Sequence, residues 1–444
     1  MPTIPDVSHV TGLSLATGVA IAVNWGMRLL LVLSIAGLAS LHAGNVIFIH
    51  PDGAGVAPWQ AARMISKGPD GELAWDRLPA IAIYRGHLKD NLTSTSNGGA
   101  TVHAYGVKVP AAAFGTGDSA DAPPVSAGGE PISLMQEARK AGIRTGLINS
   151  GSIIEPGTAC FVASVKARSD YEEITRAVLE SGVDVILSGG EQWMLPEGTT
   201  GRHGKPGKRK DGTDLIREAR EKGYAVVYTR EELRAVPPAT GKLLGVFAAD
   251  HTFNDQTEEF LAGAGLPLYG PSAPDVGEMT AKALELFGNE KFFLVVEEEG
   301  TDNFGNYNNA PGMLAALLRA DEAFRESLAF LENHPGTLLI TAADSEAGGM
   351  DIIGLKAGSK DELALAKNGR DPNGAPYDGL EGRPFESAPD RFGVRHPFVV
   401  TWASRNDTSG GIVIRAAGAG SEGIRGTMDN TDIYKTMRAA LFKN

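Results

Sequence analysis

Short apolar runs rich in β-branched residues recur along the chain: NVIFIH (45–50), IAIYRG (81–86), RTGLIN (144–149), VDVILSG (183–189), YAVVYT (224–229), LLGVFA (243–248), FFLVVE (292–297), TLLITA (337–342) and FVVTWA (398–403). Their length and near-continuous apolarity predict strands covered on both faces. Between many of them the apolar period changes to that of a helix, in SLMQEARKAG, DYEEITRAVLESG, DLIREAREKG, DVGEMTAKALELFG and a long stretch over 311–333. Strand followed by helix, repeated, predicts an α/β three-layer sandwich, a mostly parallel central sheet with helices on both faces. No fixed-period repeat stands out, so a solenoid is not expected. Polar, Gly- or Pro-rich segments near 110–129 and 355–395 read as surface insertions in one catalytic domain over 44–444.

The N-terminus changes the picture of where this domain works. Met27-Arg28 precedes LLLVLSIAGLASL and then HAG, the basic start, apolar core and small-residue end of a secretory signal peptide over about 27–43. Residues 1–43 are therefore expected to be an N-terminal extension and signal, with the protein exported to a periplasm or beyond. The run is short for a span of about 20 residues, so no stable membrane span is expected. Cys160 is the only cysteine, which excludes an intrachain disulfide. A net charge of −13 argues against nucleic acid as a specific partner, because phosphate backbones recruit basic faces. A small anionic substrate stays compatible if bound cations reverse the sign locally.

In an open parallel sheet, ligands gather beyond the carboxyl ends of the strands. This sequence puts acids there: Asp52 in IHPDGAG, Glu297 to Glu299 and Asp302 in VVEEEGTDNFGN, and Asp344 in LLITAADSE. Any one of them reads as a loop acid or a helix cap. As a set, flanked by glycines that let backbone approach closely, they point to a site for hard cations.

At 94–108 the chain reads STSNGGATVHAYGVK, and this segment carries a resemblance. It is similar to the nucleophile segment of the metal-dependent alkaline phosphatases, TDSAAxATAxxxGVK, matching without a gap at Ser96, Ala100, Thr101, Gly106, Val107 and Lys108. VDVILSGGEQWMLPEG, DGTDLIREAREKGYAVVYTREEL, FFLVVEEEGTD and IRGTMDNTDIYKTMRAAL resemble further stretches of the same family in the same order. The resemblance implies hydrolysis of phosphate monoesters through a phosphoserine on Ser96, with two or three divalent metal ions as cofactors and small phosphate esters as substrates. It places metal-ligand roles on Asp52, Thr158, Glu297, Asp302 and Asp344, and a phosphate clamp on Arg168 if one residue is deleted after Thr158. Where the family has three metal-binding histidines, this chain has Asn306, Ser345 and Asp407, and each replacement presents oxygen. The resemblance implies Zn2+, whereas oxygen ligands favour Mg2+, Ca2+ or Mn2+. A homodimer is common in the family; the sequence leaves it open for this chain.

A serine hydroxyl is a weak nucleophile and needs a base or a metal. His103, seven residues beyond Ser96, would lie about 10 Å away along a helix, so it is expected to pack or to support from behind. Metal coordination at Ser96 is the expected activation, helped by a helix N-terminus. Ser96 itself reads as an N-cap, a role compatible with catalysis. Thr95 stands where many members carry an acid, so an orienting partner for Arg168 is missing from the motif. His251 in FAADHTF, in a loop after a strand that can reach the site, is open as a source of a missing imidazole and is more readily read as a solvent or supporting histidine; His50 is expected to be a buried strand residue, Cys160 a core residue and the basic run 202–212 a solvated loop. The competing readings are a phosphodiesterase of the same superfamily and a catalytically weakened metal- or phosphate-binding homologue. A sulfatase is disfavoured, since neither Ser96-Asn97-Gly98 nor Cys160-Phe161-Val162 fits the required C/S-x-P-x-R setting.

Overall fold

Eight of the nine apolar runs become strands of one sheet: β1 (Asn45–Pro51), β2 (Ala80–Arg85), β3 (Arg144–Ser152), β4 (Val185–Gly189), β5 (Ala225–Val227), β6 (Leu243–Val246), β7 (Phe292–Glu298) and β8 (Thr337–Thr341). The computed structural model describes residues 44–356, 369, 377–380 and 383–442. The extension and signal over 1–43 therefore lie outside the described residues, as does most of the middle of the 355–395 insertion. Short strands follow β8: β9 (Glu346–Ala347), β10 (Met350–Gly354), β11 (Tyr377–Asp378), β12 (Phe385–Glu386), β13 (Pro397–Trp402), β14 (Asp407–Thr408), β15 (Val413–Gly418) and β16 (Arg425–Asp429).

Among the described residues the main sheet has ten strands in the order β16-β2-β15-β8-β1-β7-β3-β4-β6-β5. It is parallel throughout except for β15, which runs antiparallel to both β2 and β8. Every residue of β4, β7 and β8 is buried, which requires cover on both faces. The helices Leu134–Lys140, Tyr171–Glu180, Leu215–Glu221, Val276–Phe287 and Ala310–Asn333 fall on the expected periodic segments. Ser133 and Asp275 start two of them with capping boxes, each satisfying two backbone N–H groups that the helix leaves without partners.

Three expectations need correction. The run at 398–403 forms β13, which pairs antiparallel with β10, β11 and β12 in a separate small sheet. The segment 110–129 is more than a surface excursion: Phe114 is fully buried and bridges Val165, and Ser164 Oγ donates to the Gly115 carbonyl at 2.6 Å. In the basic run, Arg209 is buried, with Nη1 donating to the Glu172 and Trp193 carbonyls and Nε and Nη2 bonded to Asp211. It is a tie between segments rather than a solvated charge.

Candidate active site

Four adjacent parallel strands, β8, β1, β7 and β3, end at the same edge, and the acids collect there. Asp52 follows β1, fully buried. The register pairs His50 of β1 with Glu297 of β7, and Glu297 in turn with Asn149 of β3, so these side chains share one face. Alternation turns Glu298 to the other face, where Ser150 Oγ, the Gly300 N–H and Tyr269 OH donate to it, while Glu299, just past the end of β7 at the start of the helix Gly300–Asn306, carries its carboxylate back to Glu297. Carboxylate oxygens of Asp52, Glu297 and Glu299 come within 4.8 Å of one another, as do ligand atoms of His50, Asp52 and Asp344. Both oxygens of Asp52 and of Glu299, with Asp344 Oδ2 and Glu297 Oε1, are buried with no hydrogen-bond partner among the described residues. Orphaned buried carboxylate oxygens are costly, and the chemistry that satisfies so many acceptors at once is a cation.

Thr158 joins this group: its Oγ1 donates to Glu297 Oε2 at 3.2 Å, and Asn149 Nδ2 donates to both. Asp302 sits on the opposite flank, in the helix Gly300–Asn306. The two-stranded ribbon of β14 and β9 carries Asp407 across to meet it, through the register Asp407↔Ala347. Gly53, at φ +67°, makes this approach possible, because a Cβ there would stand 2.8 Å from Asp302 Oδ1. Asn306 lies between these two acids and hydrogen-bonds to both. Its Nδ2 donates to both Asp302 oxygens (3.0 and 3.2 Å) and to Asp407 Oδ1 (2.9 Å), while its Oδ1 accepts from the Gly348 N–H. The Gly348 bond fixes the amide with its nitrogen toward the acids. Ser345 Oγ donates to Asp344 Oδ1 at 3.4 Å.

The helix Ser96–Tyr105 lies above the acids. Its N-cap is Thr95, not Ser96: Thr95 Oγ1 accepts from the Gly98 N–H and donates to the Ala111 carbonyl. Capping leaves Ser96 as the first residue of the helix, buried, and free of that duty. One turn on, Gly99 lies so close to Asp344 that a Cβ would come within 2.8 Å of Oδ2, so the 96/99 face is the one turned to the acids. His103 is remote as expected, its Nε2 bonded to Tyr84 OH at 2.9 Å.

Arg168 supplies the positive charge. Its Nη2 donates to Glu155 Oε2 at 2.8 Å, with 43% of the side chain exposed. Glu155 is thus the orienting acid that the motif lacks at Thr95. Partial burial works against the guanidinium, and the fields of Glu155, Glu299, Asp302 and Asp52 outweigh it and hold the charge. His251 lies behind this pair, Nδ1 accepting from the Ser152 N–H at 3.2 Å and standing 3.9 Å from Glu155 Oε1. Cys160 is core, its thiol pushed up to about 12 by burial.

Without a bound cation these acids would repel one another. Burial and the charge of Asp52 push Glu297 up to about 8. Burial and neighbouring acids hold Glu299, Asp302 and Asp344 well above the usual carboxylate range. From about pH 4.5, where unfolded glutamates ionise, to about pH 8, the folded metal-free chain binds more protons than the unfolded one, so its stability falls as pH rises. The chelated protein is expected to lose roughly 3–10 °C in melting temperature across that window. With metal bound the fall should largely vanish, because the ions satisfy the ionised carboxylates. Paired thermal melts with and without chelator measure it, and parallel curves would show that no cation relieves these acids.

Fold and acid cluster together define the class: a three-layer α/β protein whose strand ends gather acids suited to divalent metal ions. More specifically, a family model described as alkaline phosphatase matches residues 43–442, and the chain belongs to that family, whose activity is phosphomonoester hydrolysis. It is 26% identical to the alkaline phosphatase of Escherichia coli over 445 aligned positions, covering 91% of this chain and 87% of that one. It is 30% identical to the repressible alkaline phosphatase of Saccharomyces cerevisiae over 336 positions, covering 70% of this chain and 56% of the yeast protein. The fold is shared with the alkaline phosphatase of the Antarctic bacterium TAB5, at a TM-score of 0.67 and 20% identity, covering 90% of this chain and 98% of that one. Among the described residues no helix is long and apolar enough to cross a membrane.

Proposed function

We propose that this chain hydrolyses phosphate monoesters in two displacements, with Ser96 as the nucleophile. The observation that carries the reading is the convergence of Asp52, Glu297, Glu299 and Asp344 at one sheet edge, under the first turn of a helix that begins with Ser96. In the first step Ser96 Oγ forms a bond to phosphorus, the bond to the leaving alcohol breaks, and the alcohol departs with a proton. In the second step water attacks the phosphoserine, releasing inorganic phosphate and restoring the hydroxyl. Divalent ions bound at the acids supply charge neutralisation and Lewis-acid activation. Asp52 and Asp344 would hold one, Asp302 and Asp407 a second, and Glu297, Thr158 and Asp52 a third; Ser345 and Asn306 steady Asp344 and the Asp302/Asp407 pair by donating to them. The helix N-terminus favours negative charge at Ser96, and Arg168 binds phosphate oxygens through its fork. The apolar run after Met27-Arg28 supports an exported location.

The test is turnover of p-nitrophenyl phosphate against bis(p-nitrophenyl) phosphate. The monoester should be favoured by about 100-fold or more in kcat/KM, since a diester lacks the third charged oxygen that the cations and Arg168 bind. Preference for the diester would make the chain a phosphodiesterase, and turnover of neither would leave a binding homologue. Replacing Arg168 by Ala should raise KM and slow transfer, lowering kcat/KM about 10- to 100-fold through the loss of charge-assisted bonds. Replacing Glu155 by Gln should give part of the same loss, because it frees the guanidinium without removing it. Unchanged steady-state kinetics in Arg168→Ala would assign the clamp to another cation.

A further inference from the structure

We propose that His50 Nε2 is a direct ligand of the divalent ion held by Asp52 and Asp344, so that this centre keeps one imidazole, delivered from strand β1. The inference rests on the reading of the acid cluster as a metal centre. His50 is 1% exposed, and its Nδ1 lies 2.8 Å from the Ala342 carbonyl. A carbonyl only accepts, so Nδ1 carries the hydrogen, and Nε2 of the neutral ring presents a bare lone pair on the side of Asp52. A ring nitrogen tied to a backbone carbonyl, with the other nitrogen left free, is the arrangement that orients metal-binding histidines.

The distance to Asp52 points the same way. His50 Nε2 lies 3.3 Å from Asp52 Oδ1, and neither atom has a hydrogen-bond partner among the described residues. A charge-assisted bond between imidazolium and carboxylate would run to about 2.7–2.9 Å with the N–H aimed at oxygen. Two ligands each about 2.0–2.2 Å from one shared ion would stand about 3.0–3.6 Å apart, each aimed at the ion rather than at the other. Asp344 Oδ2 is likewise without a partner, and ligand atoms of all three residues lie within 4.8 Å of one another. His103, edge-on to His50 at 5.5 Å between ring centres, has its Nε2 occupied by Tyr84; its Nδ1 is also buried without a partner among the described residues, but His50, not His103, has a ring nitrogen within 4.8 Å of ligand oxygens of both Asp52 and Asp344. His251 is committed on Nδ1 to Ser152 and sits beside Glu155.

The experiment uses the full chain, stripped by chelator and reloaded with Mn2+ alone, and reads nitrogen coupling to the ion by electron spin echo modulation. Unlabelled protein should show a directly bound imidazole nitrogen, and histidine labelled with nitrogen-15 should shift the signal. The signal should survive in His251→Asn and in His103→Gln, which assigns it to His50 even if a His50 variant does not accumulate. In folded His50→Gln it should disappear, with Mn2+ bound about 10- to 100-fold more weakly at one site. Tightly bound Mn2+ without nitrogen coupling, or a signal lost in His251→Asn or in His103→Gln, overturns the ligand assignment alone. Failure of the full chain to bind Mn2+ at all would instead remove the metal-centre reading beneath it.

Discussion

Replacing Ser96 by Ala is expected to lower kcat by about 10^4-fold or more while leaving the melting temperature unchanged, because a covalent route has no substitute for its nucleophile. The structure sharpens this expectation. The hydroxyls of Thr95 and Thr93 are already committed: Thr95 caps the helix and donates to Ala111, and Thr93 Oγ1 pairs with Ser409 Oγ at 2.8 Å. Ser96 sits at the first helical position, where alanine is well tolerated, and its loss removes no apolar contact. Kinetics on p-nitrophenyl phosphate with a parallel thermal melt check both halves. Near-normal turnover would move the role to Thr95 or Thr93 and would require one of those hydroxyls to leave its bond.

The second large effect concerns the metals. Stripping with chelator should abolish turnover, and Mg2+, Ca2+ or Mn2+ should restore it better than Zn2+ alone. Asp302 and Asp407 offer only carboxylate oxygen, with an amide N–H rather than an imidazole between them. Carboxylate sets suit hard cations, and zinc gains most from nitrogen or sulfur. An imidazole from His50 would bring nitrogen to one position only, so the oxygen-only position still sets the requirement. Reconstitution assays with elemental analysis decide it. Stoichiometric zinc, with zinc alone restoring activity, would show that the oxygen set does not govern metal choice.

Much of the scaffold is written in local patterns. Strands such as β1, β7 and β8 carry unbroken apolar runs because helices cover both faces, so they stand out. Sheet membership is a long-range property, and the run at 398–403 carries no local sign that it pairs with β10 instead of the central sheet. Strand β16, RGTMD, is largely exposed at the sheet's edge and shows no apolar alternation to detect.

At the site, the acids and Ser96 were legible from strand ends and the motif, and the partners that orient them were less so. Glu155 is an ordinary loop acid in sequence until the fold closes the turn that sets it on Arg168. His50 reads as a buried strand residue, and its tautomer is fixed by Ala342, 292 positions away. The Gly348 N–H, 42 positions from Asn306, decides which end of that amide faces the acids. Glu299 lies just past the end of β7, where strand alternation no longer sets a side chain's direction, so its place beside Glu297 was not legible.

The most direct measurement is to quench turnover of a phosphorus-32-labelled monoester in acid within the first cycle and map the label by mass spectrometry. Label on the peptide that carries Ser96, near one equivalent per active chain and absent in Ser96→Ala, is the predicted result. Rapid turnover with no label on protein, or label on another residue, would contradict the two-displacement mechanism on Ser96.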